Sequence, residues 1–194
     1  MQEMNFLLAG VGGQGTLLAS NVLSLVGLSV GYDVKKSEVH GMAQRGGSVT
    51  SHVRWADKVR SPLIGAGEAD YFLAFERLEA LRYIEQLRPG GMLVVSEHAI
   101  PPISVTTGKD EYPDGDRIRR AFEAVTSKVV WVPSIELGNA RVHNIIMLGA
   151  LSAQLDLDEQ VWLEVIEQRV PARFVELNKQ AFLRGYETGR AFTF

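Results

Sequence analysis

The chain of 194 residues contains no cysteine. This absence excludes disulfide bonds, thiolate zinc sites and a cysteine nucleophile. It also excludes an iron–sulfur cluster held by cysteines of this chain alone, because thiolates are the usual ligands of such clusters. Any iron–sulfur centre that the protein serves is therefore expected on another chain.

The sequence also disfavours a membrane or secreted protein and a nucleic-acid-binding protein. No apolar run is long enough to span a bilayer, and the first ten residues lack the basic flank and the length of a signal peptide. The formal net charge is −3 and no basic run is present, so nothing indicates binding to nucleic acid. A cytoplasmic protein is the expectation.

Strands and helices alternate along the chain. Residues 4–9 form an apolar run that predicts a buried strand, and residues 14–26 predict a helix that is apolar nearly all round. This alternation predicts an α/β fold, a three-layer Rossmann-like sandwich with a largely parallel, mixed sheet. Further strands are predicted at residues 30–36, 48–55, 70–75, 92–96 and 129–132.

The remaining helices complete one expected domain over residues 1–194. Apolar spacing predicts an amphipathic helix at 78–87, ended by Pro89-Gly90-Gly91. A long helix at 139–155 carries small residues that would permit close packing. The C-terminal helices, within residues 158–189, are expected to pack on this domain.

A glycine-rich turn, GVGGQG at residues 10–15, separates the first strand from the first helix. In this position glycines permit a tight turn, and the start of the helix presents free N–H groups to an anion. A dinucleotide site would also need an acidic residue about 20 positions further on, for which Asp33 and Glu38 are the candidates. Binding of NAD or FAD and a purely packing role for the turn both remain open.

The stretch SEVHGMAQRGGSV, residues 37–49, contains several groups suited to a site. Arg45 offers a planar set of donors that suits phosphate or carboxylate, and Gly46 and Gly47 can aim backbone N–H groups into one concavity. Glu38 and His40 share a face of an extended backbone and could act as a base and its orienting partner. A structural histidine, and an Arg45 that binds a neighbouring chain, are the alternatives.

Other polar positions predict no catalytic group. No activated serine motif accompanies the stretch, and His40 and His52 do not form a metal-ligand set. Arg141 and Asn144 lie one helical turn apart, and Asn144 is polar within an apolar run. An internal hydrogen bond is the first interpretation of Asn144, and a site-lining role is the second.

Four segments together resemble the gamma domain of the 2-oxoacid:ferredoxin oxidoreductases. They are GVGGQG with its strand and helix, SEVHGMAQRGGSVTSHVR, GNARVHNIIMLGAL and ELNKQAFLRGYETG, and they extend over nearly the whole chain. The resemblance is closest to the small subunit of the indolepyruvate enzymes, and gamma subunits of pyruvate and 2-oxoglutarate enzymes look similar. It implies a subunit that is inactive alone and serves the oxidative decarboxylation of a 2-oxoacid to acyl-CoA, with reduction of ferredoxin.

The resemblance also implies where the cofactors and contacts lie. Thiamine diphosphate and 4Fe–4S clusters are expected on partner subunits, in agreement with the absence of cysteine and of a thiamine motif here. By analogy, Gly12, Gly13, Gln14 and Gly15 face those partners or the path of coenzyme A. The same holds for His40, Gly41, Arg45, Gly46 and Gly47, with Arg45 as an anion contact and the glycines as backbone donors. No residue is assigned as a catalytic group or a metal ligand.

The sequence leaves two alternative functions open and predicts an assembly state for the isolated chain. A stand-alone oxidoreductase would bind NAD or FAD by itself, and a structural module would only stabilise its partner. An isolated subunit is expected to leave an apolar patch exposed, and such a patch often pairs with itself. A homodimer in the absence of the partner is therefore predicted, and light scattering would detect it.

Overall fold

The structure is a computed structural model that describes residues 2–40, 47–135, 137, 142–192 and 194, and of His40 it describes only the backbone. The strands of the described residues form a six-stranded sheet in the order β2-β3-β1-β4-β5-β6. Parallel pairing joins β1, β4, β5 and β6, whereas β3 is antiparallel to both β1 and β2. The predicted largely parallel, mixed sheet is thereby confirmed. The strands are β1 (Met4–Val11), β2 (Asp33–His40), β3 (Ser48–Ala56), β4 (Ala69–Ala74), β5 (Leu87–Ser96) and β6 (Val129–Val132).

Helices cover both faces of the sheet. None of those in the described part of the chain is long and apolar enough to cross a membrane. Short 3-10 turns precede β5 at Ile84–Gln86 and the last helix at Ala172–Phe174. The α-helices are α1 (Thr16–Ser29), α2 (Arg77–Tyr83), α3 (Ile103–Thr106), α4 (Gly115–Glu123), α5 (His143–Ser152), α6 (Glu159–Arg169) and α7 (Val175–Arg190).

The core lies in two layers, one on each face of the sheet. Along β1, Phe6 and Leu8 point into one layer, and Leu7 and Ala9 point into the other, as the two-residue period of a strand requires. Helices α1, α5, α6 and α7 close the first layer, and α2 and α4 close the second. Each fully buried large apolar side chain contributes about 1.5–3 kcal/mol by leaving water. The predicted three-layer sandwich follows from this arrangement.

Several predicted boundaries were wrong, and the largest differences lie at β2 and β5. β2 continues to His40 rather than ending at residue 36, because β3 pairs with it along its whole length. Pro89-Gly90-Gly91 does not end a helix; α2 ends at Tyr83, and the three residues lie inside β5. They form an irregularity in the pairing of β4 with β5, so that successive paired residues on β5 are Leu87 and Met92. Proline and glycine are tolerated there because the regular ladder is interrupted.

The close packing predicted for the long helix is confirmed at its contact with α7. A Cβ on Gly149 would lie 2.0 Å from the carbonyl oxygen of Phe182, and a Cβ on Gly185 would lie 1.9 Å from that of Ile146. The backbones of α5 and α7 therefore approach so closely that only glycine fits at these two positions. Residues 139–141 of the predicted helix lie outside the described residues, and α5 begins at His143.

Candidate functional site

The glycine-rich turn lies at the edge of the sheet where β1, β4, β5 and β6 all end, which we call the carboxyl edge. After β1 the chain enters α1 on one face of the sheet, and after β4 it enters α2 on the opposite face. In open α/β sheets such a divergence of connections creates a crevice at the strand ends, where ligands bind. The glycine-rich turn therefore lies at the position that the topology favours for a ligand.

The two glycine-containing motifs of the sequence meet at this edge. The N–H of Gly12 donates to the carbonyl oxygen of Gly47 at 2.8 Å. Gly13 and Gly15 have φ angles of 105° and 80°, in the left-handed region that glycine adopts readily. The turn and the start of β3 are thus neighbours, although their sequences are more than thirty residues apart.

The side chain of Gln14 closes the turn from within. Its Oε1 accepts from the N–H of Val11 at 2.7 Å, and its Nε2 donates to the carbonyl oxygen of Phe75 at 2.8 Å. The amide thereby joins the end of β1 to the residue after β4, across the crevice. The oxygen and the nitrogen of the Gln14 side-chain amide are thus both bonded within the protein, so the evident role of this side chain is to hold the shape of the turn.

Helices α1 and α5 begin side by side at the carboxyl edge. Asn144 Nδ2 donates to the carbonyl oxygen of Gly15 at 3.1 Å, and a Cβ on Gly15 would lie 2.6 Å from that nitrogen. The internal hydrogen bond predicted for Asn144 is therefore confirmed. The N-cap residues of the two helices, Gly15 and Val142, make no side-chain cap bond, whereas in the first turn of α5 the Asn144 Oδ1 accepts from the N–H of Ile145 at 3.0 Å.

The start of β3 is anchored to α2 by a buried carboxylate. Ser48 Oγ donates to Glu79 Oε2 at 2.5 Å, and Arg82 Nη1 donates to Glu79 Oε1 at 2.6 Å. Burial is the main reason that the pKa of Glu79 is raised above its ordinary value. Gly41, Arg45 and Gly46, and the side chain of His40, lie outside the described residues, so the contacts assigned to them stay predictions.

The two acidic residues considered for a dinucleotide lie in other places. Asp33 begins β2, at the opposite edge of the sheet from the turn, and accepts from the N–H of Val59 at 2.7 Å. Glu38 is nearer the carboxyl edge but is bonded to Lys36 Nζ at 2.7 Å and to Ser20 Oγ at 3.3 Å. Because β3 separates β2 from β1, Glu38 lies two strand spacings from β1, about 10 Å. This arrangement weighs against the NAD or FAD alternative.

A cluster of hydroxyl and imidazole groups at the same edge was not predicted from the sequence. Ser96 ends β5, His98 follows it, and His143 begins α5. Ser96 Oγ lies 3.0 Å from His98 Nδ1 and 2.8 Å from His143 Nε2, and the two rings meet edge to face at 4.5 Å. Polar residues at the end of a buried strand were the only available signal.

Among the described residues, no group of three or more histidine, aspartate or glutamate side chains is placed to hold a metal ion.

His143 is expected to make the protein less stable in mild acid. Burial, and secondly the charge of His98, lower the pKa of His143 from 6.5 to about 4. Between these two values the unfolded chain binds a proton that the folded chain rejects, so the free energy of unfolding falls as the pH falls. From about pH 7 to about pH 5 the loss is about 2 kcal/mol.

Urea unfolding at both pH values would measure this loss in the wild type and in His143→Gln. We expect the variant to lose less stability than the wild type, by about 2 kcal/mol. His52, whose pKa is also lowered by burial, remains in both proteins and so cancels in the comparison. An equal loss in the two proteins would contradict the assignment.

Comparison with known proteins places this geometry in a family. Residues 5–188 match the family described as pyruvate ferredoxin/flavodoxin oxidoreductase. The chain is 39% identical to the indolepyruvate oxidoreductase subunit IorB of Pyrococcus horikoshii, over 98% of both chains.

Two solved structures show the same fold. The gamma subunit of a keto/oxoacid ferredoxin oxidoreductase from Geobacter sulfurreducens covers 97% of this chain and 99% of its own, with a TM-score of 0.69 and 24% identity. The second is the 2-oxoglutarate:ferredoxin oxidoreductase of Magnetococcus marinus, solved with 2-oxoglutarate, coenzyme A and succinyl-CoA bound. The match covers 100% of this chain and 32% of that longer chain, with a TM-score of 0.72 and 21% identity. The family match and the near-complete alignment with IorB together show that the chain belongs to the pyruvate ferredoxin/flavodoxin oxidoreductase family.

Proposed function

We propose that this chain is the cysteine-free subunit of a 2-oxoacid:ferredoxin oxidoreductase whose 2-oxoacid is indolepyruvate. The observation that carries the proposal is the 39% identity to an indolepyruvate oxidoreductase subunit over 98% of both chains. 2-Oxoglutarate is the next candidate, because a relative named 2-oxoglutarate synthase subunit KorC is 28% identical over 94% of this chain.

The proposed reaction divides between this chain and a partner. The 2-oxoacid loses carbon dioxide, its acyl group joins the sulfur of coenzyme A, an electron pair passes to ferredoxin, and the thiol proton is released. Clusters that carry the electrons need thiolate ligands, which this chain lacks, so they are assigned to the partner. Thiamine diphosphate, which would stabilise the carbanion left by decarboxylation, is assigned to the partner as well.

The contribution of this chain is proposed to be the carboxyl edge. Coenzyme A carries several phosphate charges, and the start of α1, whose N-cap residue Gly15 makes no side-chain cap bond, supplies backbone donors and a positive helix end at the glycine turn, with the start of α5 beside it. Arg45, with Gly41, Gly46 and Gly47, is proposed to add a charged donor group next to the turn. The site would then be completed by the partner subunit across the crevice.

Reconstitution tests the proposed function. The purified chain is expected to show no turnover of indolepyruvate, pyruvate or 2-oxoglutarate, and to gain turnover on mixing with the thiamine- and cluster-bearing subunit from the same cell. Ferredoxin reduction and thioester formation would be the measurements. Turnover by the partner alone, or saturable binding of NAD or FAD by this chain, would overturn the proposal.

Arg45→Ala is expected to lower kcat/KM for coenzyme A by about tenfold or more, while assembly with the partner is unchanged. The physical reason is the loss of a charge-assisted contact to an anionic group, worth about 1.5–3 kcal/mol. Arg119→Ala is the matched control, because Arg119 is exposed on α4, where it lies over the Trp131 ring. If Arg45→Ala abolishes assembly instead, the residue belongs to the subunit interface and the anion-contact role is wrong.

A further inference from the structure

Four side chains form a row across the carboxyl ends of β5 and β6. Ser134 Oγ lies 3.4 Å from His98 Nε2, His98 Nδ1 lies 3.0 Å from Ser96 Oγ, and Ser96 Oγ lies 2.8 Å from His143 Nε2. Ser134 is exposed, the two histidines are half-buried, and Ser96 is completely buried. The row therefore leads from solvent to the first residue of α5.

The single hydroxyl proton of Ser96 couples the two rings. A hydroxyl can donate only one hydrogen bond, so Ser96 can donate to only one of the two ring nitrogens that face it. The other nitrogen must carry its own proton and donate to the Ser96 oxygen, which also accepts from the backbone N–H of His98 at 3.1 Å. With both rings neutral, the tautomer of His98 thus determines the tautomer of His143.

The two allowed arrangements differ in where a proton can enter and leave. In one, His143 Nδ1 is free to accept a proton and His98 Nε2 carries one. In the other, His143 Nδ1 carries the proton and His98 Nε2 is free to accept. When the first arrangement converts into the second, one proton enters the row at His143 Nδ1 and one proton leaves it from His98 Nε2. The charge of neither ring changes.

The inner end of the row lies beside the glycine turn. His143 is followed by Asn144, which donates to the carbonyl oxygen of Gly15. Among the described residues no group is bonded to His143 Nδ1. In the part of the chain that the structure describes, the charged groups next to the row are Glu97, and Glu76 and Arg77 at the start of α2, where the N–H of Arg77 donates to the His98 carbonyl oxygen at 3.2 Å.

We propose that His143, Ser96 and His98 form a proton relay that removes the thiol proton of the acyl acceptor at the carboxyl edge. This inference rests on the proposed function. As sulfur bonds to the acyl carbon, the S–H proton passes to His143 Nδ1. The His143 Nε2 proton passes to Ser96 Oγ, the Ser96 proton to His98 Nδ1, and the His98 Nε2 proton to solvent near Ser134. Each group finishes neutral, and one proton is released.

Nitrogen-15 NMR of the imidazoles tests the coupling in the isolated chain, which has four histidines. We expect the same tautomer in both rings of the wild type, either Nε2–H in His98 and His143 or Nδ1–H in both, and independent tautomers in Ser96→Ala. His52 is the internal control, because its Nδ1 accepts from the N–H of Ile64 at 3.1 Å and its tautomer is therefore fixed. If Ser96→Ala does not fold, His98→Ala is measured in its place, because the His98 side chain is half-exposed and tolerates truncation. Tautomers of His143 that are unchanged in the folded variants would overturn the relay.

Kinetics of the reconstituted enzyme test the role of the relay in the reaction. Ser96→Ala is expected to slow coenzyme A-dependent turnover by about 100-fold, as removal of proton transfer commonly does. Decarboxylation of the 2-oxoacid without coenzyme A is expected to be unchanged, and Ser96→Thr, which keeps the hydroxyl, is expected to recover most of the rate. His52→Gln is the control for a distant histidine.

The outcomes separate the relay from the function on which it rests. Normal coenzyme A-dependent turnover in folded Ser96→Ala would overturn the role in thiol deprotonation. Equal slowing with and without coenzyme A would show that Ser96 is only structural and would also overturn it. If no partner supports turnover, the proposed function fails, and the tautomer measurement still decides whether the row of groups is coupled.

Discussion

Gly185→Ala is expected to lower the free energy of unfolding by about 3 kcal/mol and the Tm by about 6–12 °C. The added Cβ would lie 1.9 Å from the carbonyl oxygen of Ile146, which is a backbone atom of α5 and cannot rotate away. Alanine favours a helix over glycine by about 1 kcal/mol, but that gain is smaller than the cost of separating α5 from α7. Thermal unfolding and urea titration would measure the change.

Gly115→Ala is the matched control for this prediction. Gly115 also lies in a helix, at the start of α4, and nothing would lie within 4 Å of an added Cβ. We therefore expect unchanged or slightly higher stability in this variant, by at most about 1 kcal/mol. A Gly185→Ala protein as stable as Gly115→Ala would show that the two helices separate at little cost.

Glu76→Ala is expected to cost about 4 kcal/mol of stability, because four donors lose one buried carboxylate. Glu76 Oε2 accepts from the N–H groups of Leu78 and Glu79 at 2.6 and 2.9 Å. Its Oε1 accepts from the N–H of Ile100 at 3.0 Å and from the Tyr112 hydroxyl. The residue thus caps α2 and at the same time holds both ends of the segment between residues 100 and 112.

Asp158→Ala separates these two roles. Asp158 caps α6 through the N–H of Gln160 at 2.9 Å, but it is exposed and holds no second segment of the described chain. Its removal should cost only about 1 kcal/mol, the usual value for an N-cap. Limited proteolysis should cleave residues 100–112 faster in Glu76→Ala and not in Asp158→Ala. Equal effects of the two substitutions would contradict the second role of Glu76.

Local patterns in the sequence predicted much of the fold. β3 was predicted to within one residue of its end because its side chains alternate between the two faces, and β6 was predicted at its observed bounds because it is a short run of apolar, mostly β-branched residues. The glycine turn was predicted at its observed place between β1 and α1. The family, which the quoted motifs identified, is confirmed by the comparison with known proteins.

The order of the strands could not be predicted, because it depends on contacts between distant segments. Nothing in residues 48–55 indicates that β3 runs antiparallel between β1 and β2. The irregularity in β5 was missed for a related reason, since Pro89-Gly90-Gly91 is typical of a helix end unless the pairing with β4 is known.

The site was only partly predictable for the same reason. Ser96 and His143 are 47 positions apart in sequence, and Ser48 and Glu79 are 31 apart. Gln14 was predicted to contact a ligand or partner, and no local pattern revealed that its amide spans β1 and the residue after β4. Only the fold brings these groups together.

The position of β3 between β1 and β2 has a consequence for synthesis of the protein. β1 is made before both of its neighbours in the sheet, of which one begins at Ser48 and the other at Ala69. An apolar strand with unpaired edges is prone to associate with other chains. The nascent chain must therefore keep β1 shielded, with α1 as the first available cover, until the hairpin of β2 and β3 emerges from the ribosome.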